Sequence, residues 1–186
     1  CVAQVWYVDK DSQGENQDGS TWETAFSQVQ DAIDAAASTG GGEVWIAAGV
    51  YDEERTGNAS LSRPGALELK TGVDIYGGFE GTETSREQRD WERNACIIDG
   101  IKSRGGELAY SVAVCENVNG ITVDGITFRN GRAELGPYSG VNGGGCFYSY
   151  YSTLIFKNCC FTNGRAGGSG AVQLLHSDII FDSCVF

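Results

Sequence analysis

The chain has 186 residues, 41% of them hydrophobic, which is one domain's worth and enough apolar surface for a sizeable core. Its formal net charge of −12 argues against a nucleic-acid partner, whose phosphates it would repel, and no apolar run is long enough for a membrane span. The 27 glycines against two prolines suit many tight turns between apolar strands, not a collagen-like or disordered chain.

Seven cysteines in a lysine-poor, acidic chain suggest an oxidising compartment, so a secreted or cell-surface location is expected. There is no C-x-x-C motif and His176 is the sole histidine, which leaves no zinc site to expect. Cys1 is a candidate for lipid attachment or for an intermolecular disulfide. Gln4 to Asp9 reads as a short strand. Asp9-x-Asp11-x-Gln13-Gly14 then matches the opening of an EF-hand loop, but Ser20 stands where the bidentate Glu belongs. Asp9 and Asp11 are therefore a Ca²⁺ candidate without its completing acid, and no other cofactor is expected.

Thr24 to Ser38 is the one segment with a helical stripe: Phe26, Val29, Ile33 and Ala36 share a face, and Gly40-Gly41-Gly42 stops it. Strands are expected over Glu43 to Ala47, Ala66 to Leu69, Val73 to Tyr76 and Cys96 to Ile98. The polar stretches Asp52 to Pro64 and Glu80 to Asn94 read as flanking loops; Asn58-Ala59-Ser60 is the one N-x-S/T sequon.

The last third repeats. Cys146 to Phe161 aligns without a gap on Ala171 to Phe186 at a spacing of 25, and Ala113 to Phe128 aligns over the same 16 positions at a spacing of 33. Eight extra residues fall in the Gly-rich stretch between Arg132 and Gly145. Within each copy the period is two. Ile121, Val123, Ile126 and Phe128 alternate with threonines around an Asp124-Gly125 turn, and Lys157-Asn158 and Asp182-Ser183 are the equivalent turns. Strands this short bury a core only by stacking. Phe128, Phe161 and Phe186 should form one inward column with Ile126, Cys159 and Cys184 beside it, and Val123, Phe156 and Phe181 should form another. Asn130-Gly131 and Asn163-Gly164, in the matching FRNGRA and FTNGRA segments, mark a shared turn. A β-sandwich of hairpins is the alternative, and equal-length copies at one phase argue against it.

The expected fold is thus all-β: a right-handed parallel β-helix, or solenoid, with an N-terminal amphipathic capping helix. It is read as one domain over 1–186, with strand, loop and helix in 1–42, rungs in 43–186 and an uncapped C-terminal end. Cys159 and Cys184 would stand about 4.8 Å apart on neighbouring rungs, within reach of a disulfide, or would form a ladder of buried thiols. Cys160 should point the other way, towards Cys146, Cys115 or a neighbouring chain.

WYVDKDSQGENQDGSTWETAFSQVQDAIDAA, GGEVWIAAGVYDE and LKTGVDIYGGFEGTETSREQRDWERNACIIDG, with the later GGGC and FxNG elements, cover nearly the whole chain. In them the chain resembles secreted bacterial right-handed parallel β-helix proteins, pectate-lyase-like surface proteins among them, and more remotely the polymorphic outer-membrane adhesins. The resemblance implies the fold; the architecture hosts lyases, hydrolases, adhesins and fibres alike.

Phe186 falls partway through a rung, and an uncovered parallel stack templates further strands. The expected role is accordingly structural or adhesive, with self-association or continuation of the β-helix at that end and head-to-tail fibres as one outcome. The alternative is a carbohydrate-active enzyme fragment. Arg132 with Arg165, and Asn130 with Asn163, stand at matched positions for it, although such repetition is also what a structural turn produces. No catalytic or metal-ligating residue is assigned. A glycan-binding module is a third reading, with Tyr148, Tyr150 and Tyr151 as a stacking platform.

Overall fold

The computed structural model describes residues 4–55, 63–133 and 143–186, so Cys1 and the Asn58 sequon lie outside the described residues. Among these residues the protein is mostly β with one α-helix. The first described strand is β1 (Val5–Val8), followed by α1 (Val29–Ser38), β2 (Gly42–Ala47) and β3 (Gly49–Tyr51). Later turns of the chain bring two to four strands each. They are β4 (Leu67–Glu68), β5 (Val73–Phe79) and β6 (Cys96–Asp99), then β7 (Ala113–Glu116), β8 (Asn119–Asp124), β9 (Ile126–Arg129) and β10 (Arg132–Ala133). Next come β11 (Phe147–Tyr150), β12 (Thr153–Lys157), β13 (Cys160–Thr162) and β14 (Arg165–Ala166), and finally β15 (Val172–Leu175) and β16 (Asp178–Asp182).

Strands from successive turns pair in parallel. One sheet runs β1-β2-β5-β8-β12-β16, a second β4-β7-β11-β15, a third β3-β6-β9-β13, and β10 pairs with β14. The spacing of 25 is therefore a register: Phe156 lies beside Phe181 and Phe147 beside Val172. Side chains alternate, so Ile121, Val123, Leu154 and Phe156 are buried while Thr122 and Ile155 face outwards and are only half-buried. Phe128, Phe161 and Phe186 form the expected column, with ring centroids 5.4 Å and 5.3 Å apart and nearly parallel planes. Phe156 and Phe181 stack at 5.5 Å beside it.

The corners are made by residues with positive φ. One is formed by Asn117 (φ 55), Tyr151 (φ 45) and His176 (φ 51), a second by Gly125 (φ 74), Asn158 (φ 49) and Ser183 (φ 55), and a third by Asn130 (φ 66) and Asn163 (φ 53). This left-handed conformation is one that Gly and Asn enter most readily, which is why those residues recur at the turns.

The gapless alignment of the copy at Ala113 needs correction. Phe147 and Tyr150 pair with Ala113 and Glu116, a spacing of 34, whereas Leu154 and Phe156 pair with Ile121 and Val123, a spacing of 33. Gly120, at φ 67, is the residue bulged out between them. His176 and Tyr151 therefore correspond to Asn117 and not to Val118.

The helix begins at Val29, later than the Thr24 expected from its apolar stripe. Backbone hydrogen bonds hold the intervening residues to β1 instead, with Phe26 N–H on the Tyr7 carbonyl and Asp9 N–H on the Phe26 carbonyl. Val29, Ala32, Ile33 and Ala36 are buried in one core with Val8, Val44 and Ile75. The Gln30 side-chain amide accepts from Glu68 N–H at 2.8 Å and donates to the Glu68 carbonyl at 3.3 Å, so it satisfies the free edge of β4. Outside the largest sheet, Trp45 stacks on Phe79 at 4.7 Å and Trp22 packs on both Phe79 and Tyr7. There residues 80–94 are tied down by Arg89, whose guanidinium pairs with Asp124 at 2.5 Å.

Phe128 is fully buried at the inner end of the ring column. Phe128→Ala should cost about 3–5 kcal/mol of unfolding free energy, read from the urea midpoint, with no change in the spectrum of the native state.

Candidate functional site

The matched FRNGRA and FTNGRA segments build the most chemically distinct surface. Asn130 and Asn163 directly follow β9 and β13, and each turns the chain through its left-handed corner. Gly must follow, because the backbones then pass in contact. A Cβ on Gly131 would lie 1.6 Å from the Gly145 carbonyl oxygen, and one on Gly164 would lie 2.6 Å from Cys146 Sγ. The next two residues form β10 and β14. Their register places Arg132 beside Arg165 and Ala133 beside Ala166, with Ala133 buried and both arginines exposed. Backbone bonds fix the pair from both sides: Arg132 N–H donates to the Ala109 carbonyl at 2.7 Å and Arg165 N–H to the Gly131 carbonyl at 2.9 Å.

The two arginines border a cleft of about 330 Å³ together with Leu108, Asn130, Gly131 and Asn163. Beneath it lies Asp99, 2% exposed, on β6. Its Oδ1 accepts from Asn130 Nδ2 and Ile101 N–H, both at 2.9 Å, and its Oδ2 accepts from Arg129 Nε at 2.6 Å. Burial acts to raise the Asp99 carboxyl, but the hydrogen bonds from Asn130, Arg129 and Ile101 outweigh it and hold it below the usual carboxylate range. Further in, buried Arg55 donates to the Asp99 and Gly65 carbonyls at 2.9 Å and 3.1 Å and pairs with Glu53 at 3.2 Å. Burial draws the Arg55 guanidinium below its ordinary value. Asn130, which lines the cleft, is thus held by a fixed polar frame, and Arg132 and Arg165 lie in register at the cleft's edge.

Asp99, Arg129, Arg55 and Leu108 were not singled out from the sequence. Asp99 lies in register with Arg129, so the signal for that pair existed only in the strand pairing between turns. The other expected residues fall elsewhere. All six described cysteines are free thiols. Cys159 and Cys184 occupy the expected column, whereas Cys115 Sγ meets Ser149 Oγ at 3.3 Å and Cys146 Sγ meets the Thr162 carbonyl at 3.3 Å. Tyr148 does not offer a platform, because it is buried with the Arg63 guanidinium 3.5 Å from its ring centroid. Tyr151 is exposed and stacks on His176 at 4.6 Å. Asp9 Oδ1 accepts from Asp11 N–H at 2.9 Å, and the Asp11 carboxylate holds Lys10 at 2.7 Å. Among the described residues no three His, Cys, Asp or Glu side chains gather as a metal-binding group, and no helix is long and apolar enough to cross a membrane.

No protein-family model matches the chain. It is 31% identical over 112 residues to alginate lyase 7 of Azotobacter vinelandii, a match that spans 60% of this chain and 12% of that protein. It is 32% identical over 108 residues to mannuronan C5-epimerase AlgE3 of the same organism, spanning 58% of this chain and 5% of that protein. A solved protein from Parabacteroides merdae, described as a candidate glycosyl hydrolase, superposes with a TM-score of 0.47 at 16% identity, over 84% of this chain and 75% of that one. The two sequence relatives fall on the polysaccharide-active side of the resemblance noted above and lend nothing to its adhesin side.

A carboxyl held low in the folded protein stabilises the fold above its unfolded pKa of about 4, and that contribution disappears as pH falls through the lower folded value. Asp99→Asn should therefore lower the melting temperature at neutral pH. The gap to the wild type should narrow steadily as the pH is taken below about 4, as followed by thermal melts across the acid range.

Proposed function

We propose that the chain folds as an extracellular right-handed parallel β-helix and binds an acidic, uronate-containing polysaccharide, with the carboxylates seated on Arg132 and Arg165. The observation that carries this reading is the parallel register that sets Arg132 and Arg165 at neighbouring positions along the cleft they both line. Like charges directly opposite one another in a sheet oppose folding, and an anion bridging them reverses the sign of that interaction. A guanidinium presents a planar fork that matches a carboxylate with two parallel hydrogen bonds. Successive uronates along an extended glycan offer such carboxylates repeatedly, as successive turns of this chain offer arginines. Two relatives named for alginate and mannuronan, both polyuronates, support the same ligand class.

The reading is of binding, not of a complete catalytic centre. Eliminating or inverting a uronate begins with removal of the proton next to its carboxylate, which needs cations on the carboxylate and a base aimed at that proton. The cleft supplies the cations. Asp99, the carboxylate nearest to hand, lies beneath the cleft with its oxygens already engaged by three donors, so no base is assigned here. The structural or adhesive role expected from the sequence draws no support from these relatives, which favour the carbohydrate-active alternative.

Affinity electrophoresis through gels containing polymannuronate or neutral dextran tests this. The wild type should be retarded by the polyuronate alone, and less so as salt rises. Replacing both arginines (R132Q with R165Q) should weaken binding about ten-fold or more, at roughly 1.4 kcal/mol per ten-fold. Unchanged retardation of a folded double variant, or equal retardation by dextran, would overturn the reading.

A further inference from the structure

The column that carries Ile126 continues through Cys159 to Cys184. Cys96 pairs with Ile126, and Cys160 pairs with Thr127, which sets Cys159 beside Ile126. On the other side Val185 N–H donates to the Cys159 carbonyl at 2.9 Å and Cys160 bridges to Val185, which sets Cys184 over Cys159. Cys96 is thus a full turn removed from Cys159, with Ile126 between them. Cys159 and Cys184 are adjacent.

Neighbouring parallel strands hold like positions about 4.8 Å apart, inside the Cα separation that a disulfide accepts. Each thiol approaches backbone carbonyls. Cys159 Sγ lies 3.1 Å from the Lys157 oxygen, and Cys184 Sγ lies 3.4 Å from the Asp182 oxygen. The neighbouring Cys159 thiol draws the Cys184 thiol down to about 7, while burial pushes Cys159 well up. Cys184 is therefore the partner ready to act as a nucleophile near neutral pH.

We infer that Cys159 and Cys184 are a redox-active dithiol that a small-molecule disulfide oxidises to a covalent tie between neighbouring turns. The Cys184 thiolate attacks one sulfur of the oxidant and expels the other half as a thiolate, leaving a mixed disulfide. Cys159 then gives up its proton and attacks the Cys184 sulfur, forming the intramolecular bond and releasing the second half. The two protein thiol protons end on two small thiols, and the oxidant gains the two electrons the cysteines lose. The tie would close one turn of chain and so restrict the unfolded state.

The test is treatment of the whole protein with oxidised glutathione, followed by alkylation in denaturant and peptide mapping. The thiol count should drop by two. Fragmentation of the linked tryptic pair, residues 158–165 joined to the peptide that begins at Ala166, should place the bond on Cys159 and not on its neighbour Cys160. The oxidised protein should melt at a higher temperature than the reduced one, and C160S should behave as the wild type while C184S keeps its melting point in both conditions. Alkylation of both Cys159 and Cys184 after oxidation would overturn the inference, as would a bond through Cys160 or Cys146. The wild-type map decides the matter without any variant having to fold.

Discussion

The constraint on which everything else depends is that each strand satisfies its backbone on the turn before and the turn after. Parallel pairing in register puts the same position of every turn in one column, about 4.8 Å from its neighbours. Where the position is phenylalanine, as at Phe128 and Phe161, the rings stack and the core gains. Where it is cysteine, two thiols meet. Where it is arginine, two cations meet. One geometric rule therefore produces the core, the thiol pair and the charged rim, and only the chemistry of the repeated residue decides which of them results.

Corners hold that register. A turn between short strands needs a residue that enters left-handed φ at low cost, and Asn117, Asn130, Asn158 and Asn163 meet the need along with Gly125. Tyr151 and His176 occupy the same conformation without that ease. Their strain is offset at least in part by the contact they make, two rings 4.6 Å apart and within 11° of parallel. The bulge at Gly120 shows how the stack tolerates a turn with one residue too many. The surplus residue leaves the ladder at a glycine, and the inward alternation resumes at Ile121.

Much of this was legible in the sequence, because period-two alternation and a 25-residue spacing are local signals. The phenylalanine columns, the Asn-Gly turns and the matched arginines all follow from them. What remained hidden depends on contacts across turns. The pairing of Asp99 with Arg129 and the burial of Arg55 behind them involve turns whose strand spacing is irregular, so no alignment of copies brings them together. The start of the helix was misplaced for a related reason. Phe26 fits a helical stripe, yet its backbone is bonded to Tyr7 on β1 and to Asp9 just beyond it, and a tertiary hydrogen bond overrides a local pattern. Gly120 was invisible as a bulge because a gapless match of apolar positions scores equally well with the surplus residue in place.

The acidity of the chain, which argues against nucleic acid, has to be reconciled with a polyanionic ligand. The two cases differ in range. A duplex carries charge along its whole length, and a protein that holds it must neutralise many phosphates at once. A net charge of −12 works against that at every contact. A uronate strand carries one carboxylate per sugar, and the proposed seat needs only the pair at Arg132 and Arg165. At physiological salt the field of a charge fades within about 8 Å, so acids on distant faces weigh little on a carboxylate in contact with a guanidinium. Among the described residues Asp99 is buried beside Asn130, which lines the cleft, and its carboxylate accepts hydrogen bonds from Asn130 and Arg129. In the proposed reading a local cation pair of this kind would select for carboxylates spaced along a thin chain and against densely charged duplexes, and the acidity of the whole would become part of that specificity.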